Sequence, residues 1–221
     1  MGLDANELAR GAQLLGLDLS AAQCDALLRY AALLAKWNRT HNLTAIERDA
    51  EVLTHHLLDS LSIVPVITPL IAARDPGTPV RLLDVGSGGG LPAVPLAIAC
   101  PALQVTALDK VQKKVAFLTQ AKVELRLHNF SAVAARVEAW QPPAPFALIV
   151  SRAFASLADF VALTRHLRSP GGRWLAMKGQ RPDAELAALP ADIAVVAVRP
   201  LRVPGLDEER HLIELQLRSE T

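Results

Sequence analysis

The sequence predicts an α/β fold, with a mostly parallel seven-stranded sheet covered by helices, an antiparallel C-terminal strand pair and a helical region in front. Three observations predict it. Short apolar runs alternate with segments of helical period from residue 80 to residue 167, and strands joined by helices lie parallel with both faces covered. The last two apolar runs, IAVVAVR (193–199) and HLIELQL (211–217), have no helical pattern between them and flank Pro204-Gly205, which reads as an antiparallel return. Apolar residues make up 51% of the 221 and aromatics 4%, so Ala, Leu and Val can fill a sizeable core; a disordered or fibrous chain is excluded.

The first seventy residues read as helices. The best-marked one begins at Ser20, where Gln23 three residues on completes a capping-box pattern ahead of a stripe of Cys24, Leu27, Leu28, Ala31 and Leu34. KWNRTHNLTAI (36–46) reads as a polar loop. A second helix is expected over 47–64, with Val52, Leu53, Leu57 and Leu61 on one side and Pro65 closing it. The chain then divides into a helical region, 1–70, and a sheet domain, 71–221. VRLLDV (80–85) runs through glycines into a helix, and LQVTALD (103–109) leads to a helix from 110 to about 125. SAVAA (131–135) precedes a short helical segment. FALIVS (146–151) precedes a helix over 156–167, opened by a second capping pattern at Ser156 and Asp159 and stopped by Pro170-Gly171-Gly172 before the strand RWLAMK (173–178).

The segment from Leu82 to Pro92, LLDVGSGGGLP, carries the most chemistry. Glycines let the chain turn sharply and let a ligand lie on bare backbone, while the next helix offers free N–H groups. Pro92 suits the first turn of that helix, where its missing N–H would be unpaired anyway. The dinucleotide fingerprint needs a third glycine in the register held by Leu91, which weakens a NAD reading, and no Gly-Lys-Ser/Thr follows to make a P-loop. What remains is a Gly86-x-Gly88-x-Gly90 arrangement, with Asp84 ahead of it and Asp109 at the end of the next strand. Asp109 is placed to accept hydrogen bonds from ribose hydroxyls, to cap the helix that begins at Lys110, or both.

DVGSGGG with Asp109 resembles the Rossmann-like class I methyltransferases that use S-adenosyl-L-methionine. Several further segments, namely RVE at Arg136, SRAFASL at Ser151, the MKGQ stretch ending at Gln180 and ERHLIEL at Glu209, make the chain similar to one family in particular. This is the 16S ribosomal RNA guanine-N7 methyltransferase family, RsmG, also called glucose-inhibited division protein B. KWNRTHNLTAI and HHLLDSL extend the resemblance over nearly the whole chain. It implies methyl transfer from S-adenosyl-L-methionine to N7 of a guanine in a loop of 16S ribosomal RNA. It further implies that residues 71–221 form the methyltransferase domain, with Gly86 and Leu91 at the cofactor, Val137-Glu138 bordering its adenine, and Arg152 reaching it from the fourth strand; Gly88 and Gly90 join the cofactor-binding candidates through the glycine loop itself. Arg136 and Arg210 match positions linked to activity or RNA contact. Ala93 stands where many members have glycine.

Guanine N7 has a free lone pair and no proton to lose, so the expected site needs no general base and works by positioning, with Arg152 and Arg136 as the positioning residues. No Asn/Asp-Pro-Pro-aromatic segment or Pro-Cys pair points to amine or carbon methylation. Lys178, at the end of another strand, joins Arg136 and Arg210 as an RNA-binding candidate, with a plain surface role as its alternative. His41, His55 and His56 lack the pattern of a metal site, Trp37 reads as an anchor between helices and sheet, and Cys24 and Cys100 as small core hydrophobes.

The whole-chain charge of +1 carries no signal for nucleic acid, but it conceals an asymmetry. Residues 146–182 hold six basic groups against one acid, and residues 183–221 hold eight acids against four arginines. This predicts a local polyanion-binding face. The longest apolar run considered, 91–103, is broken by three prolines and too short for a membrane span, and the N-terminus lacks a signal-peptide pattern. The expectation is a cytoplasmic monomer without metal or membrane, with 16S RNA or the small subunit as its partner. The alternatives are a small-molecule or protein methyltransferase and a non-catalytic RNA- or nucleotide-binding module.

Overall fold

The computed structural model describes residues 3–46, 48–73, 78–152 and 154–220. Its centre is one seven-stranded sheet of β1 (Val80–Val85), β2 (Leu103–Asp109), β3 (Phe130–Ala134), β4 (Phe146–Ser151), β5 (Arg168–Lys178), β6 (Ile193–Leu201) and β7 (Arg210–Leu217). The order across the sheet is β3-β2-β1-β4-β5-β7-β6. β1 to β5 run parallel, and β7 lies antiparallel to both β5 and β6. The expected fold class holds. Its C-terminal pair closes the sheet with the last strand inside and β6 at the edge, so a buried run such as LIELQ sits between two neighbours. β5 begins five residues earlier than expected: Pro170-Gly171-Gly172 lies inside it, at a register irregularity opposite β4, instead of separating helix from strand.

The helices are α1 (Ala5–Leu14), α2 (Ala21–His41), α3 (Asp49–Glu51), α4 (Asp59–Leu61), α5 (Val64–Ala72), α6 (Ala93–Ala99), α7 (Gln112–Glu124), α8 (Leu157–Thr164) and α9 (Asp183–Ala187), with a π-helical stretch, Val52–Leu58, joining α3 to α4. The Ser20–Gln23 capping box forms in both directions. The predicted loop at 36–46 is instead helical through His41, because the buried stripe continues through Leu34 and Asn38 while Trp37 meets Phe117 edge-on at 5.7 Å. Asn42, in the left-handed conformation, ends it. Glu47, where the second helix was expected to begin, lies outside the described residues, and Pro65 opens α5 in its first turn instead of closing the preceding helix. Pro92 likewise stands just before α6 instead of within its first turn.

Alternate strand residues face opposite ways. Leu82 joins a core that also holds Leu27, Tyr30, Leu57 and Leu61, while Leu83 and Val85 join a second core with Phe160 and Trp174. The helical region therefore covers one face of the sheet and shares its core. The stretch Asp49–Ala72 is 24 residues long and apolar enough, by length and composition, to cross a membrane, but 56% of its most apolar window is buried inside the protein. A core helix meets the same description.

Candidate active site

The glycine loop leaves β1 at its carboxyl end, where ligand crevices form in open α/β sheets. Gly86 has φ +74°, and a Cβ on it would find no protein atom within 4 Å, so bare backbone faces open space. Asp109 braces the loop from the end of β2: Gly88 N–H donates to its Oδ2 and Val111 N–H to its Oδ1, both at 2.9 Å. Gly90 (φ +87°) is closed in, since a Cβ there would lie 2.7 Å from Val94 and 2.8 Å from Leu118. It does the helix-packing work whose register pointed to Leu91. From the helical region, the buried Tyr30 hydroxyl donates to the Gly89 carbonyl at 2.5 Å. Asp84 is enclosed below the loop, accepting from Ser87 Oγ at 2.6 Å and Ala93 N–H at 3.3 Å; burial pushes its carboxyl up to about 7.

Two cavities of about 320 Å³ each lie near the carboxyl ends of the parallel strands, and Gly86 of this loop lines one of them. The first is lined by Gly86, Leu108, Asp109, Val137, Glu138 and Phe154, with Lys110, Lys114 and Arg136 also on its wall. Apolar sides, an exposed glycine backbone and the carboxylates of Asp109 and Glu138 suit a nucleoside, whose base needs flat apolar walls and whose diol needs acceptors. The second lies at the ends of β4, β5 and β7, and Asp59, Arg152, Lys178, Arg210 and His211 line it. Arg152 Nη1 donates to Asp59 Oδ2 at 3.0 Å and to the His55 carbonyl at 2.8 Å. Lys178 Nζ pairs with Glu185 and donates to the carbonyl of Phe154, on the wall of the first cavity, at 3.1 Å.

The sequence candidates thus divide between two spaces. Gly86, Asp109, Arg136, Val137 and Glu138 line the first cavity, and Arg152, Lys178 and Arg210 the second. Gly88 and Gly90 shape the loop, and Leu91 is buried in the core shared with the helices. Arg152 lines the second cavity, with Asp59 as its partner. His56 is buried, bonded through Nε2 to Thr44 Oγ1 at 2.7 Å; burial and the Arg152 charge push it down to about 4. Sequence reasoning missed Asp59, Tyr30 and His211. The HHLLDSL segment was the available signal for Asp59, but nothing in its spacing distinguishes that acid from a surface one.

The polyanion face expected over residues 146–182 is engaged by acids of the protein itself. All six of its basic residues are ion-paired, and five of them pair with acids of the following segment: Arg165 with Asp192, Arg168 with Glu220, Arg173 with Glu214, Lys178 with Glu185 and Arg181 with Asp183. Arg152 takes the sixth acid, Asp59. Part of the asymmetry along the sequence is complementarity between β5, through Arg168, Arg173 and Lys178, and its neighbours in space.

A sequence model of the family described as rRNA small subunit methyltransferase G matches residues 23–213. The chain belongs to this family. The matched span runs from the first turn of α2 into β7, so both cavities lie within the rRNA small subunit methyltransferase G pattern. Among individual relatives, the ribosomal RNA small subunit methyltransferase G of Ralstonia nicotianae is 55% identical over 210 residues, covering 95% of this chain and 94% of the relative. That of Burkholderia thailandensis is 56% identical over 214 residues, covering 95% and 90%. Solved structures share the fold at lower identity. The glycopeptide N-methyltransferase MtfA complexed with S-adenosyl-L-methionine superposes with a TM-score of 0.58 at 14% identity, over 74% of this chain and 95% of that one. TrmN from Thermus thermophilus gives 0.53 at 20% identity, over 75% and 53%.

Proposed function

We propose that this chain transfers a methyl group from S-adenosyl-L-methionine to N7 of a guanine in a loop of 16S ribosomal RNA. The observation that carries the reading is the pair of cavities at the carboxyl ends of the parallel strands, one offering the bare Gly86 backbone beside Asp109 and the other lined by Arg152, Lys178 and Arg210, each ion-paired to an acid, in a member of the rRNA small subunit methyltransferase G family. The residues fit the cofactor: the Gly86 backbone leaves room where any Cβ would intrude, and each Asp109 oxygen keeps a lone pair beyond its backbone bond for a ribose hydroxyl. Val137 and Glu138, on the wall of the first cavity, would border the base, Gly88, Gly90 and Leu91 hold the loop in shape, and Arg152, which lines the second cavity, follows the strand beside that of Gly86.

The cofactor supplies a methyl group on a sulfonium, open to in-line displacement. Guanine N7 brings a lone pair and no proton, so no side chain has to act as a base. The protein's task is to align N7 with the methyl carbon and keep water out. Arg152, Lys178 and Arg210 surround the space the base enters, and Arg136 stands beside the first cavity to take a phosphate. A guanine displayed in an RNA loop presents its N7 edge without unpairing a stem. On this reading, the helical region 1–70 and the methyltransferase domain 71–221 act as one monomeric unit in the cytoplasm, without a metal or membrane partner.

The test is incubation with methyl-labelled S-adenosyl-L-methionine and small subunits, or bare 16S RNA, from cells lacking the modification. Label in RNA is the expected result. Label in protein or small molecules alone would overturn the reading in favour of another methyltransferase, and RNA binding without cofactor binding would favour a non-catalytic module.

A further inference from the structure

Beneath the second cavity lies a carboxylate that the proposed chemistry does not use. Asp59, from the helical region, is only 2% exposed. Its Oδ2 receives Arg152 from the end of β4, and its Oδ1 faces Arg210 Nε at 3.4 Å, from the start of β7, without a hydrogen bond. β5 separates those two strands, so one buried acid ties together two cations that the sheet alone would leave apart. Each has further anchors: Arg152 donates to the His55 carbonyl, and Arg210 to the Glu209 carbonyl and Glu208 Oε2. Burying an ion costs free energy that only its partners offset, and a planar guanidinium held at one edge keeps its remaining donors in a fixed direction.

We infer that Asp59 is a positioning residue for methyl transfer, holding Arg152 and Arg210 together at the second cavity so that the helical region completes the side of the site that takes the RNA. The inference rests on the reaction assigned above. Its consequence runs against simple charge: Asp59→Asn removes a buried negative charge beside a cavity that meets a polyanion, so electrostatics alone leaves RNA binding unchanged or tighter. Loss of positioning lowers turnover instead.

Steady-state kinetics with small subunits, at saturating S-adenosyl-L-methionine and RNA, separate the two. For Asp59→Asn, kcat is expected to fall at least roughly tenfold while KM for RNA stays level or drops and cofactor Kd by calorimetry moves less than about threefold. Asp59→Glu keeps the charge but displaces it by one methylene, so its kcat falls between the two, at least about threefold below wild type. It also serves as the test variant if Asp59→Asn does not fold. A wild-type kcat in either folded variant overturns the inference, as does a parallel loss of RNA and cofactor affinity, which marks general damage. Wild type run alongside keeps the two proposals apart: unlabelled RNA there overturns the assigned reaction and this inference with it, whereas labelled RNA with an unimpaired variant overturns Asp59 alone.

Discussion

Gly86 and Gly90 both hold a positive φ, yet they answer to different constraints. A methyl group on Gly86 meets no protein atom, so Gly86→Ala carries only the backbone strain of φ +74°, roughly 1–2 kcal/mol, and its main effect falls on the ligand. Calorimetry should show cofactor affinity lower by at least about tenfold. Gly90→Ala collides with Val94 and Leu118 and should lose roughly 1–3 kcal/mol more in urea denaturation. Asp84 gives a pH signature. Its folded carboxyl titrates near 7 against an ordinary 3.8, so between those values the native state keeps a proton that the unfolded chain releases. Its contribution to stability therefore falls as pH rises through that window and is level above it. His56, held neutral to about 4 against 6.5, acts in the opposite sense and loses stability as pH drops. Urea midpoints at pH 5 and 7.5 should show Asp84→Asn gaining on wild type as pH rises; parallel curves would mean that Asp84 does not titrate there. At this scale Gly86 and Asp109 were legible because a strand running into glycines, followed by an acid at the end of the next strand, is a local pattern. Asp59 and Tyr30 were not, because their partners lie 93 and 59 residues away.

Elements were legible where periodicity and caps agree, as at the start of α2 and through β1, β2 and β4. They were misread where polarity and position conflicted. KWNRTH is polar, but Trp37 and Asn38 sit on the buried side of α2, and tertiary contact outweighs composition there. Pro170-Gly171-Gly172 carries the composition of a turn but is accommodated by an irregularity in β5. Ion pairs with acids of the following segment engage five of the six cations that looked like a nucleic-acid signal, one of those pairs joining β5 to β7. Glu214, buried on β7, takes Arg173 at 2.5 Å, with Arg199 at 3.5 Å. Glu214→Gln should therefore destabilise, by less than the roughly 3–5 kcal/mol of a fully buried pair because Arg173 reaches solvent. It should do so without changing cofactor affinity, as chemical denaturation and calorimetry on the same variant will show.

Across the whole molecule, the helical region and the sheet share a core, and the helices reach the site through Tyr30 at the glycine loop and through His55 and Asp59 at Arg152. A near-neutral protein can still serve an RNA substrate, because its ion pairs gather many of the charges of the sheet and leave the cavities to define recognition. On the proposed reading, this face places a guanine N7 against a cofactor methyl group with no base to take a proton. That placement is tested most directly by digesting the methylated RNA to nucleosides and identifying the labelled product by mass spectrometry, with its position mapped by cleavage at N7-methylguanosine. One labelled nucleoside, N7-methylguanosine, is expected at a single loop position in 16S RNA. Label on an exocyclic amine, a ribose or another base would contradict the reading.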